Sequence, residues 1–249
     1  MARQIGKFVW HTLTTPNVDS ALAFYGEVLG WSTASMDMGD FEYKMLALGE
    51  RTQAGVVAPQ AEGVPPHWKS HMSVADVDAT VAAVVANGGA VLVPPMDIPN
   101  IGRNAVVADP QGAAFSVFTA LDPSREETAV AGFHWVELWS PDAEAVLPFY
   151  KAVFGFEAST TEMPQGTYYL LSHGDNLRAG LMTSPSADIP AMWLPYIAVD
   201  NADEAMVRVS NHGGEVKQAA MDVPGVGRFG MIADSAGAVV GLITPASQS

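Results

Sequence analysis

The sequence contains no cysteine, which excludes disulfides, a thiol nucleophile and thiolate metal sites. Basic residues are scarce: 12 Lys and Arg stand against 27 Asp and Glu, giving a formal net charge of −15. Phosphate backbones are held by stripes of Lys and Arg, so nucleic acid is excluded as a partner. No apolar run reaches the roughly 18 residues needed to cross a bilayer. The segment Met1–Lys7 lacks the apolar core of a signal peptide. There is no Gly-x-Ser-x-Gly elbow and no phosphate-binding Walker sequence. These absences lead us to expect a soluble cytoplasmic protein, monomeric or homodimeric, with a small-molecule ligand and neither membrane nor nucleic-acid partners.

What the sequence does contain is a tandem duplication. Stepping 125 positions from Phe8-Val9-Trp10 reaches Phe133-His134-Trp135, and the register holds without an insertion. Phe24-Tyr25 falls on Phe149-Tyr150, Gly55 on Gly180, Trp68 on Trp193 and Gly88-Gly89 on Gly213-Gly214. Asp97 falls on Asp222, Arg103 on Arg228 and Asp109 on Asp234. Solenoid repeats run roughly 20–50 residues, so a period this long is a repeated domain. We expect a first domain over 1–121, a linker over 122–131 and a second domain over 132–249. The polar Leu121–Glu127 stretch with Pro123 marks the linker.

Each half repeats again at lower fidelity, a shift of 59 placing Val77-Asp78-Ala79 on Val18-Asp19-Ser20. The element order reads strand, helix, strand, strand, strand, twice per half. Phe8–Thr15 is rich in aromatic and β-branched residues and stops at Pro16. Asn17 can cap the helix that follows, whose apolar face is Ala21, Leu22, Phe24, Tyr25, Val28 and Leu29, and Gly30 ends it. A second helix spans about Val77–Ala86 and stops at Asn87-Gly88-Gly89.

The runs Ala23–Trp31 and Pro148–Phe156, with Asp109-Pro110-Gln111-Gly112 before the last strand of the first half, carry a resemblance. They resemble the vicinal oxygen chelate superfamily of glyoxalases, bleomycin-resistance proteins and extradiol dioxygenases, in particular its two-domain glyoxalase-like branch carrying Trp-x-Glu-Leu, here Trp135-Val136-Glu137-Leu138. The resemblance implies an α+β fold, a tandem pair of glyoxalase-like domains whose four βαβββ units form two cupped mixed sheets. It also implies metal-ligand positions, and in this sequence these fall on Trp10, Lys69 and Ser116 in the first half and Trp135, Leu194 and Gly241 in the second. Only Ser116 is even a weak ligand type. No tightly bound cofactor is therefore expected, with a divalent metal left open.

Side chains alternate along a strand, so the mapped positions imply their neighbours two residues away. The second half then offers Trp135, Glu137 and Trp139 with Tyr196. A carboxylate among aromatics suits general acid–base work, with Glu137 and Tyr196 as candidate catalytic residues. It also suits ligand binding without chemistry, or a plain buried hydrogen bond. The first half offers Trp10, Thr12, Lys69 and His71 as binding candidates, His71 as a hydrogen-bonded histidine rather than a ligand. His11, His134, His173 and His212 read as outward, turn or helix-end residues. Gly225–Gly230 spells the dinucleotide-binding pattern, but Pro224 precedes it and a strand follows, so it reads as a turn. His67 and His71 have zinc-protease spacing on a strand, with Trp68 where that motif has Glu.

Three functions follow. The leading expectation is an enzyme doing lyase, isomerase, hydratase or cyclase-type acid–base chemistry on an aromatic or polyoxygenated compound without a tightly bound metal. The alternatives are a sequestering, resistance-type binding protein and a metal-dependent glyoxalase- or dioxygenase-like enzyme.

Overall fold

The computed structural model of the protein describes residues 3–39, 41–126, 132–163 and 166–246. Residues 127–131 of the expected linker lie outside the described residues, as do the first two of the first expected domain and the last three of the second. The four repeats have the expected order. The first is β1 (Phe8–Thr14), α1 (Val18–Leu29), β2 (Ser32–Asp37), β3 (Glu42–Leu48) and β4 (Arg51–Val57). The second is β5 (His67–Ser73), α2 (Val77–Ala86), β6 (Ala90–Ile98), β7 (Gly102–Ala108) and β8 (Ala114–Ala120), followed by a 3-10 turn at Pro123–Glu126. The third is β9 (Phe133–Ser140), α3 (Ala143–Phe154), β10 (Glu157–Met163), β11 (Gly166–His173) and β12 (Asn176–Thr183). The fourth is β13 (Met192–Ala198), α4 (Ala202–Asn211), β14 (Glu215–Val223), β15 (Gly227–Ala233) and β16 (Val239–Pro245).

The helices begin where side chains can cap them. Asn17, Asp76, Asp142 and Asn201 are extended, and each accepts a hydrogen bond from the backbone N–H three residues on. Gly30 and Gly155 end α1 and α3 in the left-handed conformation.

Two eight-stranded mixed sheets result, in the orders β2-β3-β4-β1-β5-β8-β7-β6 and β10-β11-β12-β9-β13-β16-β15-β14. Within them β1 runs parallel to β4 and β5 to β8, while β2–β3–β4 and β6–β7–β8 are antiparallel. Each sheet takes its eight strands from one half of the sequence, making two tandem α+β domains.

The helices and cores group differently. One compact unit comprises Met1–Val9, Lys69–Ala129 and Val136–Trp193; the other comprises Trp10–Trp68, Val130–Trp135 and Leu194–Ser249. In the first, α2 packs on α3. Met72, Val84, Phe115 and Val117 from one half share a core with Leu138, Phe149, Tyr150 and Trp193 from the other. In the second, α1 packs on α4, and Leu13, Tyr25, Leu46 and Trp68 join Ile197, Val209, Ile232 and Leu242.

Each unit contains the same buried pin. In the first, the Trp193 indole N–H donates to the Tyr150 hydroxyl (3.2 Å), which donates to Asp109 (2.9 Å). The other oxygen of Asp109 accepts from the backbone N–H groups of Gln111 and Ala113, closing the Asp-Pro-x-Gly turn. In the second, Trp68, Tyr25 and Asp234 repeat the arrangement at 3.0 and 3.2 Å. Burial, then the facing carboxylate, raises both tyrosines well above the ordinary phenol value, so each hydroxyl stays protonated. Tyr150→Phe removes the acceptor for one buried donor and the donor for a buried carboxylate, and is expected to cost about 2–4 kcal/mol. Urea unfolding of the variant measures that cost.

Other repeated residues have equally local reasons. Arg103 forks onto Asp78 (2.6 and 2.9 Å) and reaches Asp97 (2.8 Å), fastening α2 to the sheet, and Arg228 does the same with Asp203 and Asp222. A Cβ on Gly89 would lie 2.6 Å from the Ala108 carbonyl and 3.1 Å from Phe149, and one on Gly214 would meet Ala233 and Phe24 alike. These glycines let the paired helices approach.

One expectation is corrected here. His11 does not face outward: it is fully buried and stacks on Phe133 at 3.9 Å. In β1 the alternation puts Leu13 in the core, and His11 shares its face, so its ring packs as an aromatic core residue.

Candidate functional site

In the first unit, Val136 and Leu138 of β9 enter the core beneath α3. Alternation therefore turns Glu137 and Trp139 to the opposite face. Both are nonetheless buried, Glu137 at 7 % exposure and Trp139 at 6 %. The Trp139 indole N–H donates to Glu137 Oε1 in a short contact. The residue facing Glu137 in the neighbouring strand β12 is Gly180, which places no side chain against the carboxylate. A carboxylate in a desolvated setting is a residue type suited to accepting or delivering a proton.

The same unit carries a polar row from the first half. Lys69 and His71 project from β5 on one face. His71 is in register with Ser116 of β8, and Asn104 of β7 is in register with Phe118, two residues along on the same face as Ser116. Met72, Ala105, Phe115 and Val117 take the opposite, core face. Burial, then the neighbouring Lys69 charge, lowers His71 to about 3, with the Asn104 side chain offsetting part of that cost. The imidazole is therefore neutral at physiological pH. Burial also lowers Lys69.

The second unit holds the remaining sequence candidates. The Trp10 indole N–H donates to the Tyr43 hydroxyl at 3.2 Å. Burial raises Tyr43, and hydrogen bonds with Trp10 and then Thr12 oppose the shift. Trp10 and Thr12 are thus occupied by a tyrosine whose hydroxyl lies 1.7 Å from where a Cβ on Gly55 would be, so a side chain there would displace the Tyr43 ring. Trp135 is half-buried at the start of β9. Tyr196 is buried on β13, edge-on to Phe229 at 5.8 Å, and its ring covers its register partner Gly241. A Cβ on Gly241 would lie 2.2 Å from that ring. His67, which shares the strand with Lys69 and His71, is held by the Pro65 carbonyl at 2.8 Å.

The superfamily's metal positions carry no usual set of metal donors in either half. In the second half they are an indole, Leu194 and a glycine covered by an aromatic ring. In the first half they include a lysine cation and an indole already bonded to tyrosine. Among the described residues no group of three or more His, Cys, Asp or Glu converges. These donors do not fit a divalent cation, and no chemical step is derived through one.

Asn104 and Tyr43 were missed by sequence reasoning. Tyr43 had a signal, since the pairs Tyr43/Tyr168 and Gly55/Gly180 repeat together. Asn104 had none, because its copy in the second half is Phe229.

Four βαβββ repeats in two eight-stranded sheets define a two-domain α+β fold. Residues 10–118 match the family described as Glyoxalase-like domain, and residues 132–242 match the Glyoxalase/Bleomycin resistance protein/Dioxygenase superfamily. The chain is 34% identical over 250 residues to CFP32 of Mycobacterium tuberculosis, covering 96% of this chain and 95% of that protein. It belongs to the glyoxalase/bleomycin resistance protein/dioxygenase superfamily. It is also 30% identical over 237 residues to the anthracycline biosynthesis protein DnrV of Streptomyces peucetius, covering 88% of this chain and 86% of the relative. Among solved structures, the Mn(II)-bound glyoxalase from Novosphingobium aromaticivorans shares the fold at a TM-score of 0.64 and 18% identity, over 98% of this chain and 83% of that one. The 2,3-dioxygenase LapB from Pseudomonas sp. KL28 does so at 0.66 and 12%, over 98% and 94%. Among the described residues no helix is long and apolar enough to cross a membrane.

Proposed function

We propose that this protein is a small-molecule enzyme that moves protons on an aromatic, polyoxygenated compound, with Glu137 as the acid–base group. The observation that carries the reading is the buried Glu137 carboxylate bonded by the Trp139 indole, on the sheet face opposite the helices. At the equivalent places the first half has Thr12 and Thr14. The two halves therefore differ here by a titratable group and an aromatic ring together.

Indole rings offer a flat face to stack on a ring system, and the carboxylate sits beside it. The likeness to a protein named for anthracycline biosynthesis supports a fused, oxygenated aromatic as the ligand class. Lyase, isomerase, hydratase and cyclase reactions on such compounds all need a proton removed from carbon or oxygen and returned elsewhere, which one carboxylate can do.

The test begins with hydroxylated anthraquinones and related polyketides, screened first by quenching of tryptophan emission and then for conversion. Conversion is expected to persist after dialysis against a chelator, and elemental analysis to find much less than one equivalent of metal per chain. Tight binding with unchanged ligand recovered across the panel would make the protein a sequestering one. Near one equivalent of tightly held Zn, Ni, Mn or Fe, with conversion lost on its removal, would replace the proposal with the metal-dependent reading.

A further inference from the structure

We infer that the face of β5, β7 and β8 formed by Lys69, His71, Asn104 and Ser116 is a second ligand site, built for a small organic anion that also carries a hydroxyl group. The site lies wholly within one compact unit and in the first half of the sequence, and its support does not depend on the role of Glu137. Four observations converge on it. Lys69 is half-buried and desolvated, and among the described ion pairs no carboxylate reaches it. His71 beside it is held neutral by burial and by that same ammonium, so it adds no second charge. The Ser116 hydroxyl, fully buried, has no hydrogen-bond partner. Asn104, 8 % exposed, approaches the imidazole, but its Oδ1 makes no hydrogen bond of good geometry.

Buried polar atoms are nearly always bonded, so two unmet ones beside an unmatched cation mark a place that lacks a component. The missing component follows from the inventory. The ammonium and the serine hydroxyl are donors seeking an anionic oxygen, whereas Asn104 Oδ1 is an acceptor seeking a hydrogen. A carboxylate or phenolate with a neighbouring hydroxyl meets both needs; a metal cation meets neither, since Lys69 repels it. Lys69 and His71 are partly exposed and form the approach, while Ser116 and Asn104 lie deeper and form the floor.

The experiment is calorimetric titration of the full chain with salicylate, benzoate and phenol near pH 7.5. Salicylate is expected to bind more tightly than benzoate, which lacks the hydroxyl, and than phenol, which lacks the charge. Tighter binding of benzoate or of phenol than of salicylate would overturn the pairing of an anion with a hydroxyl. Lys69→Met is expected to weaken salicylate binding about twentyfold or more, the usual range for losing a charge-assisted bond. The same change should raise the melting temperature by about 3 °C, because it removes a desolvated charge. Asn104→Leu is expected to abolish the preference for salicylate over benzoate while leaving benzoate affinity within about threefold. Lys69→Gln serves as the second variant if the methionine form misfolds. Glu137→Gln should leave salicylate affinity unchanged, which separates failure here from failure of the acid–base reading. No salicylate binding up to roughly 10 mM, or an affinity that Lys69→Met and Lys69→Gln leave within about twofold, overturns the inference.

Discussion

Expressed alone, residues 1–126 are expected not to fold to a native state, although they contain a complete eight-stranded sheet and a whole sequence repeat. The apolar side of α2 and β8 is covered in the intact chain by Phe149, Tyr150, Phe154 and Trp193, all from the second half. That of α1 and β1 is covered by Ile197, Val209, Ile232 and Leu242. Removing these partners exposes several large side chains, each contributing about 1.5–3 kcal/mol of burial, and the total exceeds the ordinary stability of a domain of this size. It also strips Asp109 of its bond from Tyr150 and leaves Trp68 and Tyr25 without Asp234. Near-ultraviolet circular dichroism of the isolated half should lack the sharp aromatic bands, and the half should bind a hydrophobic dye. Mixing the two halves during refolding should restore both signals in a one-to-one complex. A monomeric half with a cooperative unfolding transition would show that each sheet carries a sufficient core of its own.

Glu137→Gln is expected to lower turnover by about 10²–10⁴ while ligand affinity changes by less than about tenfold. The amide keeps the size and still accepts from the Trp139 indole, so the ring-binding surface is preserved while the proton-transfer group is lost. Glu137→Ala is the less informative variant, because it also opens a cavity beside Trp139. A loss of affinity with no conversion anywhere in the ligand panel would assign Glu137 to recognition in a sequestering protein. Unchanged conversion and affinity would make the residue part of the packing only.

The fold was legible because its determinants are local and stated twice. Asn17, Asp76, Asp142 and Asn201 cap the four helices, Gly30 and Gly155 stop two of them, and the aromatic and β-branched runs form the opening strands. The face carrying Glu137 and Trp139 was legible from alternation along one strand, since Val136 and Leu138 declare the core side. His11 reads as outward from its residue type, yet it shares the core face of Leu13 in β1 and stacks on Phe133. A single strand does not reveal its partners across a sheet. Asn104 enters the Lys69–His71 row through the register of β7 with β8 and of β8 with β5, three segments apart in sequence. The ring of Tyr196 lying over Gly241 has the same origin: a parallel register couples residues 45 positions apart (241 − 196), and no local pattern encodes it.

The acid–base role of Glu137 is tested most directly by exchange of ligand protons with solvent, which needs no knowledge of the final product. A hydroxylated anthraquinone or anthrone that binds the protein is incubated with it in D2O, and the ligand is followed by proton NMR. The expected result is protein-dependent loss of the signal from one carbon-bound hydrogen, at a rate unaffected by chelator and reduced by about 10²–10⁴ in Glu137→Gln. Exchange that proceeds equally in Glu137→Gln, or that stops on chelation and returns with added metal, would contradict it.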